Sequence, residues 1–251
     1  MNHKRTKKII GLLWAILLLH LIWLIGSLAL NKSILPNPLS VYQHLPSLLT
    51  EGIGWHILVS LRRVFLGMGI ALFVGTVLGL LMGRSKWLNQ LFDPIIYLTY
   101  PIPKLALLPM IMLLFGLGEA SKIILIVLIV FPQVVLSVRD GVLNIPQHYY
   151  DIYNCMQASA WQKFTKITLP ASLSAVFSTS RISLGTAISV LFFTENYGTS
   201  YGMGYFIMDA WLRMDYLSMY SGILILSTLG FGLFLLIDQL GAIALKWQKE
   251  R

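Results

Sequence analysis

The sequence predicts an all-α integral membrane protein with six transmembrane helices and both termini in the cytoplasm (N-in/C-in). Three observations carry this prediction. Of the 251 residues, 57 % are hydrophobic and 12 % charged, about half the charged share of a soluble domain. Apolar stretches of about 20 residues, the length that crosses a hydrocarbon core, recur along the chain. The net charge of +9 is gathered on alternate connecting segments, the Lys/Arg bias that orients membrane helices. Mean hydropathy is +0.75, which leaves too little polar surface for a cytosolic enzyme. The positive charge is therefore read as topology, and no nucleic-acid partner is expected. Cys155 is the single cysteine, which excludes an internal disulfide and a cysteine-based metal centre; no metal site is expected.

The elements follow in order. Residues 1–8 form a basic cytoplasmic tail with Lys4, Arg5, Lys7 and Lys8. The first span, 9–30, holds no Asp, Glu, Lys or Arg and exceeds the roughly 7–15 apolar residues of a secretory signal. Residues 31–63, with Pro36, Pro38 and Pro46, form an external segment with a short amphipathic helix over 56–63. Further spans are expected at 64–83, 94–116, 123–138, 169–193 and 216–237, giving a five-helix core over 64–245 that carries a cytoplasmic loop at 139–168. A cytoplasmic tail at 246–251 ends the chain. With this arrangement 12 of the 19 Lys and Arg lie inside: the four in the first tail, Arg84, Lys86, Arg139, Lys163, Lys166, Lys246, Lys249 and Arg251. Arg62 and Arg63 run against the bias.

The loop 139–168 is too polar to cross the membrane, yet it is rich in helix signals. Asn144 and Pro146 open a helix that runs to about Met156, with Asp151 early in it, where negative charge suits the helix dipole. Ser159 and Gln162 have capping-box spacing for a second helix leading to Leu169 and Pro170. Two short helices facing the cytoplasm suit a partner's groove; the residues alone are equally compatible with a solvated loop.

Within the spans, Gly67, Ala71, Gly75, Gly79 and Gly83 recur every four residues and predict a close helix–helix contact. Tyr100, Pro101, Pro103 and Lys104 predict a kinked third span lining a cavity, since prolines at membrane depth need protein or water to satisfy the freed carbonyls. Lys104 and Arg181 are ionisable groups inside spans, which are costly and face the bundle interior unless they snorkel to the interface. Arg181 is open to both readings. Glu195, at the outer end of the fifth span, is either a structural hydrogen-bonding group or part of a gate. These six residues are the translocation-path candidates.

At this point the residues resemble a known family. Type I ABC importer permeases carry a cytoplasmic coupling loop of the form E-A-A-x-x-x-G followed, after nine residues, by I-x-L-P. Aligned on Ile167-Thr168-Leu169-Pro170, Asp151, Ile152 and Tyr153 fall on E-A-A and Gln157 on the glycine. Ala158, Ser159, Trp161 and Phe164 resemble the run that follows. The blocks 60–64, 101–109, 115–123 and 201–205 are similar to the nitrate/sulfonate/taurine branch. The departures are the shorter side chain of Asp151 and the loss of the glycine at Gln157.

The resemblance implies the type I importer permease fold with a cytoplasmic coupling helix, multi-pass in the inner membrane of a bacterial-type cell. It further implies a second permease subunit, expected to be a copy of this chain, two cytoplasmic ATPase subunits and an external solute-binding protein. The substrate class would be a small anion such as a sulfonate or nitrate, or a vitamin precursor. The chain contains no G-x-x-x-x-G-K-[ST] loop, so ATP is expected to be bound by a partner, no cofactor is expected here, and the chain itself is not expected to be an enzyme. The alternative is a gradient-driven secondary transporter acting without an ATPase; the absence of an internal repeat counts against it.

Overall fold

The computed structural model describes residues 2–248, with side chains from Ile10 to Trp247. The tail cations Lys4, Arg5, Lys7, Lys8, Lys249 and Arg251 lie outside the described side chains. Among the described residues there are α1 (Asn2–Leu30), α2 (Pro38–Thr50), α3 (Ile53–Arg84), α4 (Lys86–Thr99) and α5 (Leu108–Phe115). These are followed by α6 (Glu119–Leu143), α7 (Gln147–Cys155), α8 (Ala160–Lys163), α9 (Leu169–Thr194), α10 (Met203–Leu212) and α11 (Tyr216–Ala244). Five helical stretches are long and apolar enough to cross a membrane: Ile10–Leu30, Ile53–Arg84, Glu119–Leu143, Ala160–Thr194 and Tyr216–Ala244. A sixth crossing exists only if α4 and the Lys104–Phe115 segment, bent by 83°, are taken together.

Local chemistry sets the helix starts. Asn37 caps α2 by accepting from Leu39 N at 2.9 Å, with Pro38 at the first helical position. Ser85 accepts from Leu88 N at 3.3 Å and opens α4. Asp215 accepts from Ser218 N at 3.1 Å and opens α11. Each satisfies an amide that the first turn of a helix leaves without an intrahelical partner.

Three boundaries differ from the sequence expectation, each for a physical reason. The short amphipathic helix over 56–63 does not exist as a separate element: those residues are early turns of α3, a 32-residue helix about 48 Å long. Arg63 does not end the span because it is neutralised inside the bundle. The third span is broken, not merely kinked: Pro101 and Pro103 interrupt it after Thr99, and a 3-10 turn, Lys104–Leu107, restarts it. The second loop helix leads to Leu169 as expected, α8 running through a π-turn, Phe164–Thr168, into α9. The last span does not end at residue 237 but runs on to Ala244, so Asp238 lies within its helix.

The core is built by α3, α6 and α9, where Val64, Met68, Ile126, Val130, Leu184 and Leu191 are buried. Gly67, Gly75, Gly79 and Gly83 face α6 in this same chain. A methyl carbon at Gly67 would lie 2.7 Å from Ile126, and at Gly75 2.9 Å from Val134. At Gly79 it would meet the Val135 carbonyl oxygen at 2.8 Å, and at Gly83 Val142 at 2.6 Å. Ala71 is fully buried on the same face. The four-residue stripe thus lets two helix backbones approach within one subunit.

The flanking helices are tied on by fewer groups. Helix α1 meets the rest through Trp23 Nε1, which donates to Pro36 O at 3.1 Å, and Ser27 Oγ, which donates to Leu35 O at 3.0 Å. His20 is hydrogen-bonded to Ile16 O and to the Tyr42 hydroxyl. Arg139 pairs with Asp93 and so fastens α6 to α4 at the cytoplasmic end.

Candidate functional site

The cytoplasmic loop folds into two short helices joined by a tight turn. Helix α7 ends in a Schellman arrangement: Ala158 N donates to Tyr153 O at 2.9 Å and Gln157 N to Asn154 O at 2.9 Å. This geometry requires a left-handed residue one position past the helix cap, ordinarily glycine. Gln157 occupies it with φ of 52°. The residue aligned with the family glycine is therefore the one whose backbone needs glycine. Replacing Gln157 by glycine is expected to stabilise the loop by about 1 kcal/mol. Slower amide hydrogen exchange over 147–158 would register the gain, and Gln157→Val should act in the opposite direction.

The second helix carries the expected capping box: Gln162 N donates to Ser159 Oγ at 3.2 Å, and Ser159 N to Gln162 Oε1 at 2.7 Å. The loop is braced from within. Lys163 Nζ donates to Asn154 Oδ1 at 2.7 Å, the hydroxyls of Tyr150 and Thr168 are 3.0 Å apart, and Ile167 is buried. The Arg84 guanidinium at the end of α3 lies 5.5 Å from the Phe164 ring centre, which connects the loop to the packed core.

Asp151 is exposed on α7, as its fifth residue and not in the first turn, and its Oδ1 accepts from Gln147 Nε2 at 3.3 Å. Ile152, Met156 and Trp161 of the same loop expose apolar surface, with Trp161 70 % exposed. Tyr153 is half-buried, and Leu169 and Pro170 form the first turn of α9.

A second constellation lies at the opposite, outer end of the bundle. Arg63 and Glu195 are almost wholly enclosed, at 1 % and 0 % exposure. Arg63 Nη1 donates to Glu195 Oε1 at 2.7 Å and to Tyr201 O at 2.8 Å. Its Nε donates to Glu119 Oε2 at 2.9 Å, and Nη2 reaches the other Glu119 oxygen and Thr199 Oγ1. Glu195 also accepts from Ser60 Oγ at 2.8 Å and from Gly204 N at 2.8 Å. It thus supplies negative charge to the start of α10, where the helix dipole favours it. Lys122, fully buried, donates to the carbonyls of Leu117 and Gly118 at 2.9 and 3.2 Å. Gly202, with φ of 132°, sits where any Cβ would overlap the Glu195 carboxylate.

Buried charges persist when paired and fully hydrogen-bonded; Arg63 and Glu195 meet that condition here, while Glu119 is partly exposed and Lys122 is held by backbone carbonyls. Sequence reasoning singled out Glu195 but not its partners. The signal lay in three of the four blocks that carry the family resemblance. Ser60–Arg63, Glu119–Lys122 and Tyr201–Gly204 are distant in the chain and meet at this point.

The remaining path candidates do not converge with Glu195. Lys104 Nζ donates to Tyr100 O at 3.2 Å and lies 5.5 Å from the centre of the Tyr100 ring, at the break between α4 and α5. Arg181 Nε pairs with Asp238 Oδ1 at 2.6 Å, linking α9 to α11. Asp238 was not legible as its partner while the last span was drawn to end at residue 237.

Comparison with known proteins supplies the context for this geometry. Residues 75–242 match the family described as binding-protein-dependent transport system inner membrane component. The putative aliphatic sulfonates transport permease protein SsuC of Bacillus subtilis is 30 % identical over 91 % of this chain and 84 % of its own length. The taurine transport system permease protein TauC of Escherichia coli is 31 % identical, covering 91 % of this chain and 86 % of that protein. Among solved structures, the inward-facing MetNI methionine ABC transporter superposes with a TM-score of 0.62 at 18 % identity. That match spans 75 % of this chain and 94 % of the other, and it shows a shared fold. With its membrane helices and cytoplasmic helical loop, the chain belongs to the binding-protein-dependent transport system inner membrane components, the permease subunits of ABC importers.

Proposed function

We propose that this chain forms, with a second copy of itself, the translocation path for a small solute delivered by an external binding protein. Two cytoplasmic ATPase subunits dock on the coupling loops and bind the ATP that this chain has no motif to hold. The observation that carries the docking reading is the exposed apolar surface of Ile152, Met156 and Trp161 on the loop that holds Asp151, which is braced against α3 and α9. Closure of the ATPases on ATP would move both loops, and the π-turn into α9 passes that movement to the bundle.

The substrate class is a small anion such as a sulfonate or nitrate, or a vitamin precursor. Support comes from relatives whose names specify aliphatic sulfonates, taurine, nitrate and formylaminopyrimidine. Lys104 favours the anions, while the charge of Arg181 is already matched by Asp238. Tyr100, Pro101, Pro103 and Lys104 are assigned to the path because they form the break in the third span.

The test is co-purification with the ATPase, followed by uptake in vesicles with and without ATP. Asp151→Lys is expected to reduce ATPase recovery at least tenfold while membrane insertion is retained. Normal recovery of the complex from that variant would refute the docking assignment. Uptake driven by an ion gradient without ATPase would refute the importer reading altogether.

A further inference from the structure

The two halves of the Arg63 cluster differ in how they meet solvent. The Arg63–Glu195 half is sealed, and breaking it would strand a buried carboxylate. The Glu119 side chain, by contrast, is 41 % exposed, so its carboxylate can rehydrate when the bond opens, while the charge of Arg63 stays balanced by Glu195.

The elements joined by the cluster also differ in packing. Helices α3 and α6 are locked together by the glycine stripe. Helix α10 is ten residues long, about 15 Å, and cannot span the membrane alone. It packs on α11 through Phe206 and Ile207 against Gly222. Between α10–α11 and α9 lies an apolar cavity of about 390 Å³, lined by Ile188, Phe192, Ile207, Ile223, Leu226 and Gly230 among others. The polar attachments of α10 to α3 are concentrated at its outer end. Met203 N donates to Ser60 Oγ at 2.7 Å, His56 Nδ1 lies 3.0 Å from Gly202 O, and Arg63 holds Tyr201 O.

We propose that Glu119 is a positioning residue for transport: it holds the Arg63 guanidinium so that the α9–α10 turn closes the outer end, and its bond is the one released when that end opens. Glu119 fixes one edge of the guanidinium, which aims the other edge at Glu195 and Tyr201 O. Losing Glu119 frees Arg63 to turn about its bond to Glu195 without exposing that carboxylate. The latch therefore has a permanent half and a releasable half. It rests on the importer reading, because an outer end that must open is a requirement of that function.

Two measurements on the assembled complex in lipid nanodiscs test it. In a Cys155→Ser background, spin labels at Ala120→Cys and Ser200→Cys report the separation of the α6 start from the α9–α10 turn. Glu119→Gln is expected to add a second, longer distance where Glu119 gives a single narrow one. The same variant should raise ATP hydrolysis without binding protein about fivefold, lowering the stimulation by binding protein in proportion. Glu119→Asp, which keeps the charge, should restore much of both. An unchanged distance distribution, or an equal fall in all rates with the stimulation ratio preserved, would overturn the latch. Should Glu119→Gln not fold, Thr199→Val removes a neutral partner of the same guanidinium edge and is judged by the same criteria. Absence of ATP-dependent uptake by the unsubstituted complex would sink the importer reading instead, and the label distances are independent of that outcome.

Discussion

Arg63→Met is expected to destabilise the folded protein by about 3–5 kcal/mol, the range for removing one partner of a buried ion pair. The variant fills most of the side-chain volume but leaves the Glu195 carboxylate with Ser60 and Gly204 N as its remaining partners, at a site with no access to water. Glu119 loses a partner too, but its exposed carboxylate rehydrates, so the penalty comes from Glu195. Thermal unfolding of the purified protein followed by tryptophan fluorescence measures the loss. The double variant Arg63→Met/Glu195→Gln should recover at least 1 kcal/mol of it, because a neutral amide is far cheaper to bury than a carboxylate. If the double variant is no more stable than Arg63→Met, the charge is not the origin of the effect. This stability prediction is separate from the latch, which concerns Glu119 and leaves the sealed pair intact.

The second large effect lies in the glycine stripe. Gly79→Leu is expected to cost about 3 kcal/mol, the upper part of the range for overpacking a tight core. The first added carbon would lie 2.8 Å from the Val135 carbonyl oxygen, an atom of the facing helix backbone that cannot swing aside. Gly69→Leu on the same helix is the control: nothing lies within 4 Å of its added carbon, and leucine is a better helix former than glycine. Recovery of monodisperse protein from detergent should collapse for the first substitution and hold for the second. Equal recovery of the two would mean that the close approach of α3 and α6 is not a source of stability.

These two sites show what could be read from the chain and what could not. The glycine stripe was legible because residues four apart share a helix face, so a local pattern implies a contact even when the neighbour is unnamed. The capping box of Ser159 and Gln162 was legible for the same reason, its two bonds joining residues three apart. The position of Gln157 was doubtful in the sequence because it replaces a glycine. The structure locates the strain in its left-handed backbone.

Arg63, by contrast, reads locally as a cation that ends a span. Its partners stand 56 and 132 residues away, and a charge's cost at membrane depth depends on partners that no local window contains. Asp238 was misplaced in the same way, cut from the last span by a charge that Arg181 neutralises. The prolines after Tyr100 announced a kink, but the 83° bend depends on how α4 and α5 pack.

What the sequence by itself determined is the environment and the local grammar. Apolar runs of span length commit the chain to the membrane, the Lys and Arg bias sets the expected orientation, and turn and cap residues place the two short loop helices. The tertiary structure alone decided which charges are neutral pairs and which helices touch. It also decided that one carboxylate of the outer cluster is sealed while the other meets water. The physical reason is that hydrophobic period and capping are short-range properties of consecutive residues. Desolvation and ion pairing are instead set by whichever atoms the fold brings within about 3 Å, regardless of their separation along the chain.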